Sequence, residues 1–321
     1  MTGPVFIKLT KFKFLKIASV DDVLEVDTIQ KYKEKGIEVL YINKNDYRLY
    51  LGFNIQVYKA MEGNKRFSKE THAHLINNIS GMFSSLIFEG AIDETLEDEM
   101  KEFCIKGYSL ISDHDDLMKI LSSINDISVE ESTHSISVAF IASAIAKKLN
   151  WYSKGTAHKL YLAAILHDIG KKNFSLDLLK KIPSLMNKDE YDQYKDHTTQ
   201  GKDILIDLRS IPTDVVKAVY DHHESYNGTG FPNGLKRDFI HPFARVIKIA
   251  DDFTRFCFSA DSSTRSVKEA LVLMHEHKRA DYDPEFYQAF LKVFKKHLIV
   301  KKKGRFLICP HKSGQFIKAL E

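Results

Sequence analysis

From residue 126 onward the chain is written in the period of an α-helix. Segments 128–149, 157–169, 188–208, 213–223, 243–258 and 267–277 each repeat apolar residues at three- and four-residue steps. Pro183, Pro212, Pro232 and Pro242 fall between them, where the missing N–H and the fixed φ of proline stop a helix. Several such segments joined by short connections can bury their apolar faces only against one another, which predicts a helical bundle over 126–321. Residues 298–320 return to short apolar strands around Lys303-Gly304 and are expected to form an appended strand-like tail.

The first 60 residues follow a different rule. Segments 5–9, 12–17 and 39–42 are rich in β-branched and aromatic residues and read as strands. Between and after them, 28–35 reads as a helix stopped by Gly36, and 45–61 as a helix capped by Asn43 or Asn45. Residues 66–125 read helical, with the acidic run 93–99 as a solvated helix start. The fold class expected is therefore α+β: a small α/β domain with a helical connector over 1–125, then a mainly α-helical domain over 126–321. At 321 residues each part is long enough to bury its own core. Nothing in the first part pairs a nucleophile with a base or forms a phosphate loop, so a regulatory or partner role is expected of it.

Composition removes other classes. With 44% apolar and 28% charged residues the chain is globular. Its longest near-continuous apolar stretch, 136–146, is well short of the roughly 20 residues that cross a bilayer. Lys8, Lys11, Lys13 and Lys16 alternate with apolar residues, unlike a secretion signal. Cys104, Cys257 and Cys309 are odd in number and far apart, which indicates no disulfide framework and predicts a cytoplasmic protein. Basic residues outnumber acidic ones by 31 to 24 over 126–321, against 16 to 19 over 1–125. This excess draws an anionic ligand to a cleft, but it lacks the dense basic stripe of a DNA binder. The Lys301-Lys302-Lys303 run is expected to be a solvated turn.

Five of the fourteen histidines form a pattern that packing does not require. His134, His167-Asp168, His197, His222-His223 and Asp251 lie in or at the ends of separate expected helices. A bundle converges such side chains on one interior point, and imidazole with carboxylate suits Fe, Mn, Zn or Ni. Seven ligands exceed the need of one ion, and a carboxylate adjoining a histidine, as in His167-Asp168, can bridge two. Two ions about 3.5 to 4 Å apart clamp the attacking and leaving oxygens of a phosphoryl displacement, and they lower the pKa of a bridging water. Glu130 lies four residues before His134 on the same helix face and is a further candidate ligand. His72 and His74 are read as surface residues, and His158, His241, His275, His277 and His297 as packing or surface residues. Gly170 is expected to end a helix, and Lys171, one turn past the ligands, to offer a point charge to a phosphate. The Gly228-Thr229-Gly230-Phe231-Pro232 loop follows the paired histidines and is expected to rim the site.

These motifs resemble the HD-GYP family. His167-Asp168-Ile169-Gly170-Lys171, His197, His222-His223-Glu224, Gly228-Thr229-Gly230-Phe231-Pro232 and Ile249-Ala250-Asp251 follow its successive motifs over roughly 126–280. The resemblance implies a helical phosphodiesterase that hydrolyses cyclic di-GMP or a related nucleotide at a site of two divalent metals, iron first and manganese second. It implies that His134, His167, Asp168, His197, His222, His223 and Asp251 are metal ligands, with Asp168 the bridge and Glu130 the ligand of a third metal. Asp168 and Lys171 become the expected catalytic pair, and other signalling domains become expected partners. Residues 1–60 are similar to an α/β domain found ahead of some family members.

The sequence also departs from the pattern. Phe231 stands where the family has its tyrosine, which removes a hydroxyl and keeps a ring. Asn227 stands in place of an aspartate. After Ala250-Asp251 the family carries an Arg-Pro-Tyr-Arg stretch that holds the dinucleotide; here 252–265 aligns no arginine with it, leaving Arg255 and Arg265 as candidate substitutes. A bidentate arginine clamp is position-sensitive. The rival expectation is accordingly a nucleotide-sensing or protein-docking module without useful turnover. A third is an HD-type hydrolase of a mononucleotide.

Overall fold

The structure is a computed structural model. It describes residues 3–10, 13–20, 22, 25–37, 40–61, 67, 69–88, 95, 98–99, 102–103, 121, 131–151, 153–179, 181–208, 211–258, 266–295, 300–302 and 305–307. The chain divides into two units, Met1–Leu86 and Ile87–Glu321. The boundary expected at 125/126 falls within residues 122–130, outside the described ones.

In the first unit β1 (Val5–Thr10) lies between β2 (Lys13–Ala18) and β3 (Tyr41–Ile42), all antiparallel. Val5 faces Ala18 on one side and Ile42 on the other. Side chains alternate along β1, so Val5 and Ile7 are buried while Lys8 is exposed. Helix α1 (Val26–Glu34) stops before Gly36, whose φ of +75° suits a residue without a Cβ. Helix α2 (Tyr47–Met61) buries Tyr50, Leu51, Ile55, Tyr58 and Met61 along one face. Tyr50 packs with Val5 and Ala18 and donates its hydroxyl to the Gly3 carbonyl at 2.8 Å. Helix α3 (Lys69–Phe88) carries His72. Expected at the surface, His72 is half-buried, with Nε2 3.2 Å from the Met61 carbonyl oxygen and its ring edge-on to Tyr58. The imidazole is held beside a carbonyl at the end of α2 by a hydrogen bond that periodicity cannot reveal.

The second unit is helical. Helices α4 (Glu131–Lys148) and α5 (Lys154–Leu166) pack on each other at its centre. Both are apolar nearly all round, as Val138, Phe140, Ile141 and Ala142 on α4 and Leu160 to Leu166 on α5 are buried; a helix with no polar face must be covered on every side. Short α6 (Leu176–Leu179) follows, then α7 (Lys188–Asp207), opened by a capping box in which Asn187 and Glu190 satisfy each other's backbone N–H groups. Helices α8 (Thr213–Asp221), α9 (Pro242–Phe258) and α10 (Val267–His277) complete the expected set, with ends within a few residues of those expected.

Helix α11 (Pro284–Val293) is an addition to the sequence reading. Asp283 accepts from the N–H groups of Glu285 and Phe286, and Pro284 opens the helix, an N-terminus signature that was present in the residues. In the tail, β4 (Val300–Lys302) and β5 (Arg305–Leu307) form an antiparallel hairpin. Lys301 and Lys302 therefore lie in a strand rather than the expected turn, because they pair with Phe306 and Arg305. Among the described residues no helix is long and apolar enough to cross a membrane.

Candidate metal centre

Gly170 explains how two elements meet at the site. After α5 the chain turns through a 3-10 segment, Ile169–Asn173, that packs on α7. A Cβ on Gly170 would lie 1.9 Å from the His197 carbonyl oxygen and 2.6 Å from the Gly201 nitrogen. The expectation that Gly170 ends a helix is thus corrected: α5 stops at Leu166 and Gly170 permits close approach. That contact brings His167 and Asp168 beside His197.

Seven of the eight expected ligands converge on one interior region. His134 comes from the first turn of α4, and His167 and Asp168 from the end of α5. His197 comes from the middle of α7, His222 and His223 from the end of α8, and Asp251 from the buried face of α9. Glu130 lies outside the described residues. Their ligand atoms fall into two groups: Asp168, His197, His222 and His223 in one, His134, His167 and Asp251 in the other, each within 4.8 Å of one another.

Asp168 touches both groups with different oxygens. Its Oδ1 lies 3.3 Å from His197 Nε2 and 3.7 Å from His222 Nε2. Its Oδ2 lies 3.2 Å from His167 Nε2 and 3.9 Å from His134 Nε2. Asp251 Oδ1 lies 2.8 Å from His134 Nε2 and 3.7 Å from His167 Nε2.

Three imidazoles are aimed by the same local device. His167 Nδ1 donates to the Ala164 carbonyl at 2.7 Å, His222 Nδ1 to Val219 at 2.6 Å, and His197 Nδ1 to Tyr194. In each case the acceptor is three residues earlier in a helix. For His197 and His222, whose rings burial keeps neutral, a proton on Nδ1 leaves the Nε2 lone pair pointing inward, the tautomer a metal requires.

The electrostatics match this arrangement. Burial and the neighbouring imidazoles push His222 down to about 4, and they hold His223 well below the usual histidine range. Both rings are neutral at pH 7. Burial alone would raise the Asp168 carboxyl, but His167 and Lys171 beside it keep it well below the usual carboxylate range. Asp251 is held down likewise, against burial, by Arg255 and His134. For His167 burial is outweighed by Asp168 and Asp251, which lift it to about 9. Buried polar atoms normally have partners, yet His167 Nε2, Asp168 Oδ1 and Asp251 Oδ2 have no hydrogen-bond partner. Inward-facing imidazoles and carboxylates with unused lone pairs are the donor set of a divalent transition metal, so the residues fit the group the motifs imply.

Lys171 Nζ sits 2.5 Å from Asp168 Oδ2 and 5.5 Å from the centre of the Tyr194 ring. Phe231 stacks on His223 with ring centres 4.7 Å apart, so the glycine-rich loop does rim the site. The Glu224 carboxylate anchors that loop by accepting from Asn233 N at 2.7 Å and Leu235 N at 2.9 Å. Two more residues join. Tyr194 brings its hydroxyl to 3.3 Å from His223 Nε2, and its position three residues before His197 on one helix was the available signal. Arg255, one turn after Asp251, reaches Asp168 and Asp251; in the sequence it stood only as a stand-in for the missing arginines.

Residues 108–286 match the HD domain family. The chain is 26% identical over 251 residues to a cyclic di-GMP phosphodiesterase of Thermotoga maritima, a match covering 77% of this chain and 67% of the relative. It is 33% identical over 164 residues to the 3′3′-cGAMP-specific phosphodiesterase 3 of Vibrio cholerae, covering 50% of this chain and 34% of the relative. The chain thus spans about a third of that longer protein. The fold matches an HDG"Y"P protein from Bdellovibrio bacteriovorus with a TM-score of 0.71 at 21% identity, covering 92% of this chain and 94% of the other. The chain belongs to the HD-domain family and is HD-GYP-like within it.

Proposed function

We propose that the protein is a metal-dependent phosphodiesterase of HD-GYP type that hydrolyses cyclic di-GMP or a related cyclic dinucleotide. The observation that carries this reading is the split carboxylate of Asp168, with one oxygen toward each of two ligand groups. His134, His167 and Asp251 would hold one divalent ion and His197, His222 and His223 another, with iron or manganese suited to the mixed imidazole and carboxylate set and Glu130 the proposed ligand of a third. When bound, such ions supply positive charge to phosphoryl oxygens and lower the pKa of water.

The chain's own residues do the rest. Asp168 fixes the spacing of the two groups, and the backbone-bonded imidazoles of His197 and His222 offer lone pairs without reorganisation. Lys171, fully within the buried wall, is the proposed cation for a non-bridging phosphoryl oxygen. Phe231 and Tyr194 pack against each other and against His223 and form one side of the site. The activities of these relatives toward cyclic di-GMP and cGAMP support the substrate class. A regulatory part over 1–125, partner signalling domains and a cytoplasmic setting complete the proposal.

A second reading, a nucleotide-sensing or docking module, is favoured by one observation: Arg255 and Lys171 already pair with the carboxylates. Incubating the metal-analysed full chain with cyclic di-GMP, beside Asp168→Ala, separates the two. Linear product from the wild type alone is expected. Tight nucleotide binding with bound metal and no product after long incubation would establish the module instead.

A further inference from the structure

Arg255 joins the two ligand groups by itself. Its Nη2 lies 3.0 Å from Asp168 Oδ2 and its Nε lies 2.9 Å from Asp251 Oδ1. The side chain is 33% exposed, whereas the two carboxylates are 2% and 1% exposed. The guanidinium therefore lies on the solvent side of both and forms a lid of positive charge over them. Two carboxylates buried this deeply are strongly destabilising without a cation. Lys171 also lies on Asp168 Oδ2, so cationic side chains already face both carboxylates before any ion enters.

Loading two divalent ions would change that arrangement. Asp168 Oδ2, which accepts from Arg255 Nη2, and Asp251 Oδ1, which pairs with Arg255 Nε, are the oxygens turned toward His134 and His167. A guanidinium and a divalent cation on one oxygen repel each other strongly in a low-dielectric interior. Arg255 must then leave, and its partly exposed position one helical turn from Asp251 keeps it at the mouth of the site. There the strongest available partner is an anion with paired oxygens, such as a phosphodiester.

Resting on the metal-dependent reading above, we propose that Arg255 is a positioning residue that occupies Asp168 and Asp251 in the metal-free protein and passes to a substrate phosphate once the metals bind. This chain would then take from α9 itself the arginine that the family carries further along.

The test is titration of the metal-stripped full chain with Mn²⁺ by calorimetry, then of the Mn²⁺-loaded protein with cyclic di-GMP, for wild type, Arg255→Gln and Arg255→Lys. Arg255→Gln removes the competing charge, so its Mn²⁺ Kd is expected to fall about tenfold, while its cyclic di-GMP Kd rises about tenfold. Arg255→Lys keeps one charge but cannot span both carboxylates, and is expected to lie between on both measures. Metal-free Arg255→Gln is also expected to melt below wild type and to regain the difference on adding Mn²⁺. If both variants bind Mn²⁺ as wild type does, or more weakly, the proposal is overturned while the metal centre stands. Tighter Mn²⁺ binding with unchanged nucleotide affinity overturns the transfer to phosphate. Failure of all three proteins to bind Mn²⁺ overturns the metal-dependent reading itself.

Discussion

The Tyr194 hydroxyl lies 3.3 Å from Nε2 of His223. The same imidazole is stacked by Phe231, the ring that stands at the family's tyrosine position. Tyr194 and Phe231 are themselves edge-on, with ring centres 6.1 Å apart. A hydroxyl is thus present beside the paired histidines although residue 231 cannot supply it; it arrives from α7 instead of the loop.

Tyr194→Phe removes that hydroxyl and leaves the ring in place. Metal content by elemental analysis is expected to stay at the wild-type level, while turnover of cyclic di-GMP falls about tenfold through loss of a hydrogen-bond donor in the site. Unchanged turnover would assign the hydroxyl a packing role only.

Asp168→Asn keeps the shape of the bridge and removes its charge. Metal affinity is expected to fall by more than ~100-fold, beyond what loss of an outer partner costs. Chelator competition reads this directly. Retention of two tightly held ions by this variant would show that the two groups bind independently.

Gly170→Ala places a methyl group against the His197 carbonyl oxygen and the Gly201 nitrogen. Both are backbone atoms that cannot rotate away, so a loss of at least ~2 kcal/mol is expected, with a lowered melting temperature. The displaced segment carries Asp168, so metal affinity is expected to fall with stability.

Burial pushes the Cys257 thiol up from 9.0 to about 12. The folded chain therefore keeps this proton at a pH where the unfolded chain releases it. Its contribution to stability is whole below pH 9 and declines as pH rises from about 9 toward 12. In a Cys104→Ser, Cys309→Ser background, a thiol reagent at pH 8 is expected to label no cysteine in the native protein and one in denaturant. Rapid native labelling would mean that α9 opens near its end.

The helices of the second unit were legible because their signals are local. Proline between segments, apolar residues every third or fourth position and Asn187 with Glu190 at the start of α7 act within one or two turns. The ligand residues were legible because imidazole and carboxylate have few other uses when repeated inside apolar helices. Even the aim of three imidazoles is local, since each Nδ1 bonds a carbonyl three residues back. Helix α11 was missed although Asp283 and Pro284 announced it.

Residue types and helix periods alone determined that this chain would build a bundle and supply metal ligands to it. Only the tertiary structure decided which ligand faces which. His134 meets Asp251 across 117 positions and Arg255 meets Asp168 across 87, and no local preference encodes a contact over such separations. The two oxygens of Asp168 divide between two groups because Gly170 lets its segment rest on α7. Arg255 lies over both carboxylates because α9 presents Asp251 and Arg255 one turn apart to the same point. Spacing lists the groups that can meet; packing distance selects those that do, because charge and hydrogen bonding act over a few ångströms.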